Sequence, residues 1–143
     1  MFLRVPDPTP KLFTVDEANA LLPRVEPLVK QLQGLHRSII KTNQEMDGVI
    51  AKLSAGNGYP IKSLKEQLEA LTKHQLQLIE AYQSAAAQLE ALGALLKDAE
   101  KGLIDFCGMR EGQMIFLCWL VGENRIRFWH TLEDGFAGRR PLD

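Results

Sequence analysis

The chain has 143 residues, of which 45% are hydrophobic and 24% are charged, so it can form one domain with a sizeable core and has the composition of an ordinary soluble protein. Its net charge of -1 argues against non-specific binding to nucleic acid, which requires a basic excess. The start of the chain lacks the apolar core of a signal peptide, and no stretch approaches the ~18 continuous apolar residues of a membrane span, so we expect a cytoplasmic protein without a membrane partner. Two cysteines, Cys107 and Cys118, are too few for a disulfide framework, and we expect both to be reduced and structural.

The first predicted helix follows a proline-rich entry. Three prolines within residues 1–12 favour an extended chain there. Thr14 stands three residues before Glu17, which is the spacing of a capping box, so we predict a helix over residues 14–53. Prolines inside this helix remove backbone hydrogen bonds and predict a kink or a break near Pro23.

A mirror symmetry of apolar positions predicts that a second helix, over residues 61–99, packs antiparallel to the first. The residue numbers of each facing pair add to the same total, as for Leu28 with Leu89. The two series are Leu28, Leu32, Leu35, Ile39, Met46, Val49 and Leu53 in the first helix, and Leu64, Leu68, Leu71, Leu78, Tyr82, Ala85 and Leu89 in the second. The polar residues Thr42 and Gln75 obey the same rule, and a polar layer at that point would fix the register. The sequence therefore predicts a long, coiled-coil-like helical hairpin.

After Gly102 the periodicity changes from helical to alternating. We predict three β-strands within residues 103–130, arranged as a small antiparallel sheet at the base of the hairpin, followed by a tail over residues 131–143. Residues 1–143 then form a single domain that is mostly α, with an α+β end.

A predicted turn at residues 122–125 assigns the sides of the last two strands. It would pair Leu117 with His130 on the core side of the sheet and place Leu120 and Trp129 together on the other side. Because that second side is also apolar, and because a bare two-helix rod leaves apolar surface uncovered, we expect a homodimer, for example a four-helix bundle.

Several segments spread along the chain resemble one bacterial family. They are residues 13–28, Lys97-Asp98 with 102–106, and then 117–119, 122–123, 128–130, 135–139 and Pro141. In combination they resemble the bacterial domain of unknown function 2203 family over nearly the whole chain. The resemblance implies no activity, cofactor or catalytic residue, because none is assigned to that family.

His130 is the first candidate for chemistry, because it ends a predicted strand and is followed by Glu133. An imidazole and a carboxylate at this spacing could hold a metal ion, with further ligands from elsewhere in the chain. The alternative is a core histidine whose ring packs on Phe128 and Trp119 and whose N–H is satisfied by Glu133 or a backbone carbonyl.

Asp105 interrupts an apolar strand, where a carboxylate requires a partner. Either Arg139 or Arg140 could return from the tail as a structural clamp, or Asp105 could be a catalytic or ligand carboxylate. The two arginines could instead bind a phosphate or carboxylate ligand. We expect Asp105 to be paired with an arginine and to lie near His130, Glu133 and Arg139, which together form the candidate ligand site.

Two classes of function remain open. The first is a non-enzymatic dimeric scaffold or interaction protein, since packing residues dominate and no catalytic set is complete. The second is a metal- or small-anion-binding protein at the C-terminal module, with or without hydrolytic or transfer chemistry. The sequence identifies no catalytic residue, no cofactor and no protein partner other than a second copy.

Overall fold

A computed structural model describes residues 11–56 and 58–143 and shows two long helices followed by a five-stranded antiparallel sheet. Helix α1 spans Val15–Ala55, and helix α2 spans Ile61–Ala91 and packs along it. The predicted α+β architecture of a helical hairpin with a C-terminal sheet is confirmed. Within the described ranges, no helix combines the length and the apolar character that crossing a membrane requires. The extended entry predicted for residues 1–12 and the turn residue Asn57 lie mostly or entirely outside the described residues.

The capping box at the start of α1 is present as predicted. The hydroxyl of Thr14 accepts a hydrogen bond from the backbone N–H of Glu17 at 3.1 Å, and the Glu17 carboxylate accepts one from the Thr14 N–H at 2.9 Å. Helix α1 continues through both Pro23 and Pro27 without a break, and the kink predicted near Pro23 stays a prediction. Val25, which is fully buried in the core between the two prolines, shows that tertiary packing holds this stretch in helical form despite the missing hydrogen bonds.

The register of the hairpin agrees with the predicted polar layer. The side-chain amide of Gln75 donates to the backbone carbonyl of Ile39 at 2.9 Å, one helical turn before the buried Thr42. Most other residues of the two facing apolar series, here called the seam, are only half-buried, because each helix covers only one side of the other. These residues are Leu28, Leu35, Ile39, Met46, Leu53, Leu68, Leu71 and Leu78.

Helix α2 ends eight residues earlier than the predicted range of 61–99. It stops at Ala91, and Gly93 follows with a left-handed φ of 91°. A side chain at this glycine would collide with the ring of Phe13, so the turn also depends on close packing. The chain beyond it forms strand β1, Leu95–Asp98.

The sheet is a meander in which each strand pairs with the next one along the chain. Its remaining strands are β2 (Leu103–Arg110), β3 (Gln113–Leu120), β4 (Phe128–Thr131) and β5 (Arg140–Pro141). The sequence predicts three strands rather than five, because β1 lies within the range predicted as the second helix and β5 has only two residues, too few to show alternation.

Strands β3 and β4 pair one residue away from the predicted register. His130 lies opposite Phe116 rather than Leu117, and Leu117 lies opposite Trp129. A shift of one residue moves every side chain of a strand to the other side of the sheet. Trp129 therefore faces the helices and His130 faces away from them, which reverses both predictions.

The connection between β3 and β4 explains this shift. It is longer than the predicted turn at residues 122–125, because Ile126 is buried in the core and its N–H donates to the side chain of Asn19 at 2.7 Å. The indole N–H of Trp119 donates to the carbonyl of Glu123 at 2.9 Å. Core packing of the loop thus sets the register of β4.

Different parts of the chain pack against the two sides of the sheet. The helix-facing side joins α1 and α2 in one core that contains Phe13, Leu22, Val25, Leu89, Ile104, Phe106, Leu117 and Trp119. The opposite side carries Leu103, Asp105, Cys107, Cys118 and His130, all buried. The tail over residues 132–139, which includes a 3-10 turn at Phe136–Gly138, contacts residues of this opposite side. The buried polar side chains Asp105 and His130 lie on this opposite side of the sheet.

Candidate metal site

Three adjacent strands bring together Asp105, Cys118 and His130 on the side of the sheet that faces away from the helices. Asp105 of β2 lies directly opposite Cys118 of β3, and His130 of β4 lies opposite Phe116, diagonal to Cys118 on the same side of the sheet. The side chains offer a carboxylate oxygen, a thiol sulfur and an imidazole nitrogen, and these atoms all lie within 4.8 Å of one another. Their exposed fractions are 1%, 0% and 3%.

The partner of Asp105 is His130. Its carboxylate Oδ2 lies 3.0 Å from the imidazole Nε2, and both side chains are buried. The predicted pairing with Arg139 or Arg140 is wrong, because the register of β4 turns His130 toward Asp105 and the arginines bind elsewhere. The sequence predicts correctly that Asp105 is buried and paired.

The hydrogen bonds of His130 fix where its protons lie. Its Nδ1 is 2.8 Å from the backbone carbonyl of Thr131, which can only accept, so Nδ1 carries a proton and donates it. A neutral imidazole then has a lone pair on Nε2, which faces the oxygen of Asp105. Two lone pairs repel each other at this distance, so the gap between Nε2 and Oδ2 requires either a proton or a metal cation.

The second carboxylate oxygen of Asp105 also indicates that a cation is needed at this position. Oδ1 is buried and has no hydrogen-bond partner among the described residues. A buried carboxylate that lacks partners costs free energy, which a cation would offset. A proton between Asp105 and His130 neutralises the pair but leaves Oδ1 without a contact, whereas a metal ion bound to the carboxylate can contact both oxygens.

Burial keeps the Cys118 thiol protonated in the absence of a metal. Burial raises its pKa to about 12, and the neighbouring Asp105 carboxylate adds to the rise. Cys118 is therefore not a nucleophile in this closed form, since the thiolate is the reactive species. A bound transition metal would reverse this balance, because its charge favours the thiolate. Cys107 is also a buried free thiol with a pKa raised by burial, but it lies opposite Phe116 and outside the cluster.

Arg139 closes the tail over this side of the sheet instead of binding Asp105. Its guanidinium forms an ion pair with Glu123 at 2.6 Å and lies 4.0 Å from the ring centre of Phe128 and 4.8 Å from that of Phe136. Glu123 also accepts a hydrogen bond from the backbone N–H of Leu120. This internal ion pair holds the tail in place at Arg139.

Glu133 stays outside the cluster. It is exposed, and the group of potential ligand atoms in the described chain contains Cys118 in its place. The sequence did contain a signal for Cys118, because Glu111 and Gly112 form a two-residue turn with φ values of 52° and 79°. Such a turn sets the register of β2 and β3, and that register places a cysteine opposite Asp105.

Comparison with known proteins identifies a family but no characterised relative. A family model described as an uncharacterized conserved protein, DUF2203, matches residues 11–142. No curated protein and no solved structure matches the chain significantly.

Proposed function

The chain belongs to this uncharacterised conserved family, DUF2203, and we propose that it binds a zinc-type divalent metal ion between Asp105, Cys118 and His130. The observation that carries the proposal is the convergence of three ligand atoms within 4.8 Å on three adjacent strands. Cysteine sulfur, histidine nitrogen and carboxylate oxygen are the ligand types that zinc takes in proteins.

The geometry of the cluster supports this assignment. Zinc holds tetrahedral ligands at about 2.0–2.3 Å, so ligand atoms lie roughly 3.3–3.8 Å apart. The Asp105–His130 pair, at 3.0 Å, would need to open slightly, and ligand atoms up to 4.8 Å apart would need to approach by about 1 Å. The hydrogen bond from Nδ1 of His130 to the Thr131 carbonyl is the type of contact that orients a metal-binding histidine and leaves Nε2 free.

The burial of the cluster favours a structural ion over a catalytic one. Three protein ligands leave a fourth position, but side chains that are at most 3% exposed leave no access for a substrate in the closed form. An ion in this position would join β2, β3 and β4, and its binding free energy would add to the stability of the sheet.

Metal titration of the purified protein tests the proposal. After treatment with a chelator, the chain should bind one Zn²⁺ or Co²⁺, and Co²⁺ should produce the charge-transfer absorption of a cobalt–thiolate bond. The Cys118→Ser variant should lose this absorption. Cys107→Ser is the matched control, because Cys107 is a buried thiol on the same side of the sheet but outside the cluster, and this variant should keep the absorption.

Two results would contradict the proposal. If the chelated wild-type protein binds less than one metal ion per chain and gives no cobalt–thiolate absorption, the cluster is a hydrogen-bonded pair beside an inert thiol. If Cys107→Ser removes the absorption and Cys118→Ser does not, a metal is held elsewhere.

A second candidate function, a non-enzymatic scaffold that self-associates, is supported by the exposed apolar residues of the hairpin. Ile40, Ile50 and Leu76 are 45%, 46% and 58% exposed on a rod whose seam is itself only half-buried. Leu120 and Trp129 do not form one joint surface as predicted, because they lie on opposite sides of the sheet. The helices rather than the sheet are therefore the better candidate for a dimer interface.

A further inference from the structure

A second cluster of charged side chains lies on the helix-facing side of the sheet, at the edge that the helices leave uncovered. Arg110, Arg125 and Arg127 line a cleft of about 350 Å³ together with the first turn of α1. Arg110 and Arg140 line an adjoining cleft of about 380 Å³ beside Trp129. We refer to these four arginines as the arginine cleft.

These arginines have no ion-pair partner in the part of the chain that the structure describes. The pairs found there involve Lys30, His130 and Arg139 instead. Two of the four guanidinium groups lie over Trp129, with Arg110 at 4.9 Å and Arg140 at 5.3 Å from the ring centre. Arg127 donates a hydrogen bond to the neutral side chain of Asn124 at 3.1 Å. Four positive charges are thus gathered without a carboxylate in direct contact.

The presence of four arginines along two adjoining clefts favours a tetrahedral oxyanion as the ligand. Each guanidinium presents a planar set of N–H donors that matches the oxygens of phosphate in a bidentate manner. Val15 and Asp16 in the first turn of α1 line the same cleft, so the partial positive charge of the helix N-terminus lies near it.

The acidic residues around the arginine cleft favour a small ligand over a nucleic acid. Asp16 and Asp143 line the first cleft and Glu111 lines the second, so the wider surface has little net charge. An extended phosphate backbone would meet these carboxylates, and its binding depends on a net basic field. The cleft volumes of about 350 and 380 Å³ lie within the range of small-molecule sites.

We propose that the arginine cleft binds the phosphate group of a small ligand. This inference is independent of the metal site, which lies on the other side of the sheet and shares no residue with it. It also differs from the anion site considered from the sequence, since Arg139 is held by Glu123 and only Arg140 of that pair contributes.

Calorimetric titration with pyrophosphate and with inorganic phosphate tests the proposal, at constant ionic strength and with a chelator present. Pyrophosphate should bind the wild-type protein more tightly than phosphate, because it engages more guanidinium groups. Arg125→Gln and Arg127→Gln should each weaken pyrophosphate binding by roughly tenfold, since each removes charge-assisted hydrogen bonds. Arg37→Gln is the matched control, because Arg37 is an exposed arginine of α1 outside the cleft, and it should bind as the wild type does.

Three results would overturn the proposal. The first is the absence of pyrophosphate binding to wild-type protein at millimolar concentration. The second is an equal loss of affinity in Arg37→Gln, which would indicate general charge attraction. The third is tighter binding of a single-stranded oligonucleotide than of pyrophosphate, with the same dependence on Arg125 and Arg127. Circular dichroism of each variant shows that the fold is retained, and Arg125→Gln is the safest variant because that side chain is exposed.

Discussion

At the scale of single residues, Asp105 forms a buried hydrogen bond and is also a ligand of the proposed metal site, and two substitutions separate these roles. In the metal-free protein, Asp105→Ala should lower the free energy of unfolding by about 1–3 kcal/mol, because it leaves the buried His130 without its partner. Asp105→Asn should recover part of this loss, since its amide can donate to Nε2 of His130. Neither variant should bind Co²⁺ as the wild type does. Urea denaturation and the cobalt titration measure the two effects.

An exposed acid provides the control for this comparison. Asp47→Asn on α1 should change neither the stability nor the metal binding, because Asp47 is exposed. If Asp105→Ala unfolds at the same urea concentration as the wild type, the bond between Asp105 and His130 does not stabilise the fold. If Asp105→Asn binds cobalt with full affinity, the carboxylate is not a ligand.

At the scale of elements, the capping box is the local device that fixes where α1 begins. Thr14→Ala removes the hydroxyl that accepts from the Glu17 N–H and should lower the free energy of unfolding by about 1 kcal/mol. Thr72→Ala is the contrasting variant, because Thr72 lies inside α2, where its hydroxyl donates to the Leu68 carbonyl and caps no helix end. It should be neutral or slightly stabilising, since alanine has the higher helix propensity. Equal losses in the two variants would contradict the assignment of the cap.

The cap also has a defined pH dependence. Hydrogen bonds with the Thr14 backbone and side chain lower the pKa of Glu17 below its ordinary value of 4.5. A lowered pKa in the folded state means that the unfolded chain binds the proton more tightly. The contribution of the cap is therefore present above pH 4.5 and is lost as the pH falls through the lowered pKa of Glu17. The stability difference between wild type and Thr14→Ala should shrink in that acidic range.

At the scale of the whole molecule, the half-covered hairpin predicts a homodimer. Sedimentation velocity at micromolar concentration should give twice the 16.1 kDa mass of the chain. Leu76→Lys should shift the equilibrium toward the monomer, because Leu76 is 58% exposed on α2. Met109→Lys provides the control, since Met109 is 52% exposed on the sheet and away from the rod. A wild-type monomer, or dissociation by Met109→Lys alone, would show that the hairpin is not the interface.

The sequence determined those features that depend on local spacing. Apolar residues at helical intervals specify two paired helices wherever the rest of the chain lies, and the capping box specifies the start of α1. The isolated acid in an apolar strand likewise showed that Asp105 is buried and needs a partner.

Only the tertiary structure decided which partner Asp105 has. The side of the sheet that β4 presents depends on the length of the loop before it, and burial of Ile126 sets that length. One residue of register moves His130 from the helix-facing side to the side of Asp105 and Cys118. The end of α2 was decided in the same way, by the close packing of Gly93 against Phe13. Both features depend on contacts between residues far apart in the chain, and the local spacing of residue types does not reveal such contacts.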